Sequence, residues 1–359
     1  MNRTLTAIKE WINPNWATHM SIPPMERGLR PNSRLDHAHA LLTPGDYEPE
    51  DLLVLDSGAI WFSSGTAIQE LKDGNVRTVA ELGGPVGTLT KLNSDIVAAV
   101  EGRGLVSVSA SESVSQLCSD TSVATCVTDL TALPDGSLLA SVGSTEYGID
   151  GWGRALVHHD RSGRLVQVDG QHAQVRAEGL GWPAGMEADP DGEVLVSLSL
   201  DHRIERRAAD SLDGAARPML TNLPLYPGRI SLGDNGWWVA GPYVRNRITA
   251  LLLDEPELLG EMVATINPDE WFIPRLRSEN PYTDPLQMGQ LRTLGVVKPW
   301  APPRSYGVAF RIDRGKRISE SVHSRVDGKC HGITRVTAHG TQVIAAAQGF
   351  RSLVEIEEE

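Results

Sequence analysis

The densest set of groups able to do chemistry lies between Ser144 and Trp152, a run that holds Ser144, Thr145, Glu146, Tyr147, Asp150 and Trp152. Aromatic faces mixed with carboxylates suit a small organic ligand, held by stacking and a few hydrogen bonds. Read alone, the run serves equally well as a solvated loop with Trp152 packed beneath it. Further polar candidates are Ser63 and Ser64, Glu101, Asp201 and His202, Tyr243, and Gln348. His158 and His159 are adjacent, so in a strand one faces inward and the other outward, a spacing unsuited to a shared metal. The chain has no Gly-x-Ser-x-Gly elbow, Gly-rich phosphate loop, His-Glu-x-x-His motif or dinucleotide fingerprint. Nucleotide chemistry and redox cofactors are therefore disfavoured.

A repeat must position these clusters. Asp56-Ser57-Gly58, Asn93-Ser94-Asp95, Pro134-Asp135-Gly136, Pro190-Asp191-Gly192, Asp234-Asn235-Gly236 and, more weakly, His339-Gly340-Thr341 are each followed at once by a short apolar run, such as Ile96 to Ala99 or Trp237 to Ala240. Such turns supply the positive backbone dihedrals of a tight hairpin, and the β-branched and aromatic residues beside them suit a pleated surface. Another apolar stretch precedes each turn, and further strands follow, among them Ala67 to Leu71, Arg154 to Asp160 and Arg203 to Ala208. Four short strands per unit, recurring every ~40 to 50 residues, predict an all-β fold, a six-bladed β-propeller with four-stranded antiparallel blades. On that fold the polar candidates fall on loops joining second and third strands, which share one mouth of the ring.

Blade five is interrupted between Gly241 and Tyr306. Leu251 to Leu253 and Glu257 to Ile266 read as helical, and Pro299, Pro302 and Pro303 follow before the sheet resumes at Gly307. The expected organisation is an N-terminal extension over 1–34 and a propeller over 35–359, with a partly helical insertion at about 251–306 acting as a lid or binding segment. A segment near Leu35 to Leu42 is expected to supply the outer strand of the last blade and so close the ring.

Composition sets the partners. The 359 residues carry 33 basic and 46 acidic side chains, a net charge of −13, with no basic run. Nucleic acid and anionic membrane surfaces are thus disfavoured. Three cysteines, Cys118, Cys126 and Cys330, cannot all pair and lack metal-ligand spacing, which favours a reducing compartment. The segment Met1 to Met20 reads as a short amphipathic helix over Leu5 to Ile12, with Trp11 and Trp16, rather than a secretion signal, so a cytoplasmic location is expected. Oligomeric state is left open.

Several phrases in order resemble the strictosidine synthase-like branch of the gluconolactonase and senescence-marker-protein propellers. They are Glu48-Pro49-Glu50-Asp51-Leu52, Pro183-Ala184-Gly185-Met186, Asp201-His202-Arg203-Ile204, Leu223 to Ile230, and Trp237-Trp238-Val239. The resemblance covers roughly residues 45–356. It implies a central site at one mouth of the ring, and in the metal-dependent lactonases a divalent cation, commonly calcium, held by a blade-one Glu and Asn or Asp residues of later blades. Matched by position, that Glu is Glu50, but Thr128 (beside Asp129), Ala184 and Gly228-Arg229 stand at the other ligand positions. Three of four implied ligands are replaced, and Arg229 brings a fixed positive charge able to pair with Glu50 or Asp129. No metal or other cofactor is therefore favoured, with calcium at Glu50 as the alternative. The base implied by strictosidine synthases falls at Thr334, so their ring closure is not supported; His331, at the start of the same strand, is a candidate base.

The candidate catalytic set is Glu50, Asp129, Arg229 and His331. Ser64, Glu101, Tyr147, Asp150, Trp152, His202, Tyr243 and Gln348 are the candidate substrate-binding set. Two functions are expected from them. One is a metal-independent enzyme on a small molecule, a lactone or ester hydrolase or a cyclase-like catalyst; the other is a non-catalytic propeller binding a small ligand or protein.

Overall fold

Gly58, Gly136 and Gly192 turn the chain at φ +79, +85 and +81, where a side chain is strained, and Asn93 takes a similar turn at φ 55. Each reversal joins an innermost strand to the next, as the hairpin chemistry requires. The computed structural model describes residues 22–23, 25, 28–277, 292–293, 296–297, 305–326 and 328–357. The helix expected over Leu5 to Ile12 with Trp11 and Trp16, and the prolines at 299, 302 and 303, lie outside the described residues.

Six four-stranded antiparallel sheets form the ring. Blade one is Pro49–Val54, Ile60–Ser64, Ala67–Lys72 and Asn75–Glu81, and blade two runs from Val86–Leu92 to Val114–Cys118. Blade three begins at Val127–Ala132, blade four at Pro183–Ala188, blade five at Ile230–Gly233 and blade six at Ile333–His339. The ring closes as expected, though by fewer residues. Helix α1 (Arg34–His37) buries Leu35, and only His39–Ala40 pairs with the last strand, Ser352–Ile356.

Apolar residues bind neighbouring blades face to face. Leu52 and Phe62 of blade one pack with Ile344 and Leu353 of blade six in one buried cluster, and full burial of each such side chain is worth about 1.5–3 kcal/mol. All three cysteines are free and buried.

One element departs from expectation. The stretch Arg154 to Asp160 is not the third strand of blade three: Trp152–Val157 forms helix α2, and the third strand is Gly163–Asp169. The helix buries Trp152, Ala155, Leu156 and Val157 on its inner side; His158 and His159 follow it and are both exposed, so their strand-like alternation does not occur. Blade five leaves the sheet after Gly241, where the interruption is expected to begin. Tyr243–Val244 pairs with Leu225–Tyr226, and helices α3 (Arg247–Leu253) and α4 (Pro256–Thr265) follow. The blade resumes at Gly307–Asp313.

Candidate functional site

The innermost strands share one irregularity. Register breaks between Pro49 and Asp51, Val86 and Leu89, Val127 and Asp129, Pro183 and Gly185, and Ile333 and Arg335. Each bulge removes one residue from the ladder, or two in blade two, and aims it elsewhere. Glu50, Gly87, Thr128, Ala184 and Thr334, among the residues so released, all line one well of about 390 Å3 at the ring centre, together with Gly228 and Arg229. The positions matched through family resemblance thus fall on one circle.

Arg229 forms the floor of that well. Its Nη1 donates to Glu50 Oε1 at 3.0 Å and to Glu50 O at 2.9 Å, its Nε to Thr128 O at 3.0 Å, and its Nη2 to Gly87 O at 3.2 Å. A single side chain from blade five therefore reaches blades one, two and three. Its backbone lies close against blade four because Gly185 has no side chain: a Cβ there would collide with Arg229 Cα. The Arg229 side chain is 6 % exposed and that of Glu50 22 %, so only Glu50 presents charge upward.

Beneath the floor lies a sealed ionic layer. Arg335 of blade six donates to Asp51 at 2.6 and 3.1 Å, to Asp129 at 2.8 Å and to Ile230 O at 2.9 Å. Thr88 Oγ1 touches both carboxylates, and Asp129 also accepts from Met186 N. Burial pushes both carboxyl groups up. For Asp51 the Arg335 and Arg229 charges outweigh it and its pKa is lowered, whereas Asp129, also facing the Asp51 charge, is raised. Asp129 is fully buried and lines neither mouth cavity.

Above the well opens a chamber of about 1000 Å3, part of its wall supplied by the insertion residues Asn267 to Arg277. Asp150, Trp152, Tyr243 and Gln348 line both spaces, and Glu101 and Tyr147 line the chamber. Trp152 stacks on Tyr243 with ring centroids 3.8 Å apart, and its Nε1 donates to Ser199 Oγ. Burial raises the Tyr243 phenol above its ordinary value and the Glu50 charge adds to the rise, so it stays protonated as a donor.

Three candidates lie elsewhere. His331 lines neither mouth cavity: its Nδ1 meets Ser305 Oγ and its Nε2 Arg325 O, each at 2.8 Å. His202 faces a separate side cavity of about 320 Å3 with Tyr226 and Arg245, and burial holds its pKa well below the usual imidazole value. Ser64 accepts from Glu48 N and lines neither space. Sequence reasoning missed Asp51, Thr88 and Arg335, and also Trp271 and Leu276 of the insertion. The first three lie at a bulge, which one sequence does not reveal; the other two lie in a segment without repeat spacing.

Comparison with known proteins accords with this geometry. Residues 29–66 match the family model described as strictosidine synthase-like, N-terminal. The chain is 28 % identical over 266 residues to the adipocyte plasma membrane-associated protein of Gallus gallus, covering 65 % of this chain and 62 % of that protein's length. Among solved structures, a gluconolactonase from Xanthomonas campestris aligns at TM-score 0.55 and 10 % identity over 88 % of each chain. A luciferin-regenerating enzyme aligns at TM-score 0.56 and 11 % identity, over 89 % of this chain and 94 % of that one. The chain is thus similar to strictosidine synthase-like proteins over residues 29–66 and shares the β-propeller fold of the gluconolactonases. Within it, the cation site that the resemblance implies does not fit these side chains. Glu50 is present, but a guanidinium holds its carboxylate, while Ala184 offers no oxygen from its side chain and Thr128 donates its hydroxyl to Pro183 O.

Proposed function

We propose that the protein is a metal-independent enzyme acting on a small lactone or ester, with Glu50 as the proton-transferring base. The observation that carries this reading is the Glu50 carboxylate, fixed by Arg229 at the bottom of a solvent-reached well and beneath a protonated phenol. Glu50 takes a proton from water, the resulting hydroxide adds to the substrate carbonyl, and the bond to the leaving oxygen then breaks. The proton passes from Glu50 to that oxygen, leaving acid and alcohol. Tyr243 and Gln348 are the donors placed to face the developing oxyanion. Arg229 orients Glu50, since its contacts run to the floor.

The chamber favours neutral or cationic substrates. Glu48, Glu101, Glu146, Asp150, Asp269 and Glu270 line it against Arg154, Arg275 and Arg277. An anionic substrate meets repulsion at the entrance. Buried free cysteines suit the proposed cytoplasmic location, and no helix among the described residues is long and apolar enough to cross a membrane. The removal of His331 and Asp129 from the well favours a second reading, a non-catalytic propeller that binds a small ligand.

A screen of lactones and p-nitrophenyl esters in EDTA separates the two. Glu50→Gln is expected to lower kcat/KM by about 100-fold or more, and Tyr243→Phe to lower kcat with KM little changed. No turnover of any substrate, or turnover indifferent to Glu50→Gln, sinks the enzyme reading.

A further inference from the structure

Four oxygens from three blades close around one guanidinium. Glu50 supplies Oε1 and its carbonyl at 3.0 and 2.9 Å, Thr128 its carbonyl at 3.0 Å, and Gly87 its carbonyl at 3.2 Å. Behind them, the Asp51 and Asp129 carboxylates lie 3.9 and 4.0 Å from Arg229 Nε. We propose that Arg229 is a built-in cation filling a hard-oxygen cage, and that shortening it opens this cage to a divalent cation such as calcium.

The cage belongs to the strands and not to the arginine. Bulges in blades one, two and three leave Glu50, Gly87 and Thr128 out of the ladder pairing, and their carbonyls accept from Arg229 at the axis. Carbonyl and carboxylate oxygens are hard ligands with no proton to lose, as calcium requires. The native chain cannot hold both charges, because a guanidinium keeps its proton. Calcium takes six to eight oxygens at about 2.3–2.6 Å. The emptied cage offers Glu50 Oε1 and the three carbonyls, Arg229→Asn adds an amide oxygen, and water from the well completes the set.

This inference deepens the metal-independent part of the reading above and rests on the same floor, but it is tested without substrate. Isothermal titration of CaCl2 is run on the native chain, Arg229→Asn, and Arg229→Asn with Glu50→Gln, and each is melted in calcium and in EDTA. The native chain is expected to give no heat at about 1 mM calcium and the same Tm in both. Arg229→Asn is expected to bind one calcium per chain and to melt at a higher temperature in calcium, and the added Glu50→Gln to weaken binding at least about tenfold. Stoichiometric calcium on the native chain overturns the proposal. So does a folded Arg229→Asn chain indifferent to calcium, or one that stays unfolded with calcium present, since a filled cage must restore the floor. Absence of turnover in the ester screen leaves these outcomes unaffected.

Discussion

Glu187 shows how a single side chain couples the stability of the fold to pH. It sits on the innermost strand of blade four, two residues beyond Gly185, and accepts from Leu232 N at 3.2 Å. It is half-buried among neighbouring blades, and this desolvation raises its pKa to about 8 from 4.5, with Asp129 adding to the rise and Arg335 opposing it. A raised carboxyl pKa means the folded state binds more protons than the unfolded state between those values. Stability then falls as pH climbs from about 4.5 to about 8. Across that window Glu187 is expected to withdraw a few kcal/mol at most, and Glu187→Gln to remove that slope. Urea midpoints at pH 5 and pH 8 check this; identical pH slopes for the two chains would exclude the role. Nothing in the phrase Met186-Glu187-Ala188 signals this, because the rise comes from desolvation by the surrounding blades, with the Asp129 charge of blade three adding to it.

Turns and strands are readable at the scale of elements because their information is local. Turns built on Gly, Asn or Asp favour left-handed backbone where they stand, and each of the expected hairpins forms around one. The helix Trp152–Val157 escapes that reading because Arg154-Ala155-Leu156-Val157 fits strand or helix equally in a short run, and packing of Trp152 against Tyr226 and Tyr243 decides. The bulges leave a fainter trace. Ser63, Ser141 and Ser197 recur on the second strands and bond to the residues around the well: Ser63 Oγ accepts from Asp51 N, Ser141 Oγ meets Thr128 Oγ1, and Ser197 Oγ donates to Gly228 O. Gly185 tests how tightly this layer is built. Gly185→Ala drives a methyl into the Arg229 backbone, and such overpacking is expected to destabilise by about 1–3 kcal/mol. Loss of Arg229 from the floor should reduce Glu50-dependent turnover in parallel. An alanine chain with unchanged urea midpoint and unchanged activity would show that the floor yields freely.

Taken as one molecule, the ring is tied twice. At its rim, His39–Ala40 pairs with Glu355 and Val354, and Arg34 pairs with Glu320 while donating to Glu357 O, joining residues far apart in the chain. At its axis, Arg335 links blade six to blade one through Asp51, to blade three through Asp129 and to blade five through Ile230 O. Thr88 adds blade two and Met186 N blade four. The charged members are invisible as a set in the sequence because Asp51, Asp129 and Arg335 belong to three different repeats. Arg335→Met leaves Asp51 and Asp129 buried at 0 % exposure with their principal counter-charge gone. Breaking a buried pair this way costs about 3–5 kcal/mol, a large share of the ~5–15 kcal/mol that holds a typical domain folded. Neutralising the partners as well, in Arg335→Met with Asp51→Asn and Asp129→Asn, is expected to recover much of the loss, because the damage is an uncompensated charge more than a missing contact. Urea unfolding of the native, single and triple variants decides it. A single variant within about 1 kcal/mol of native would show that the blades are held by their apolar faces alone, and a triple variant no better than the single would place the loss in the arginine's packing.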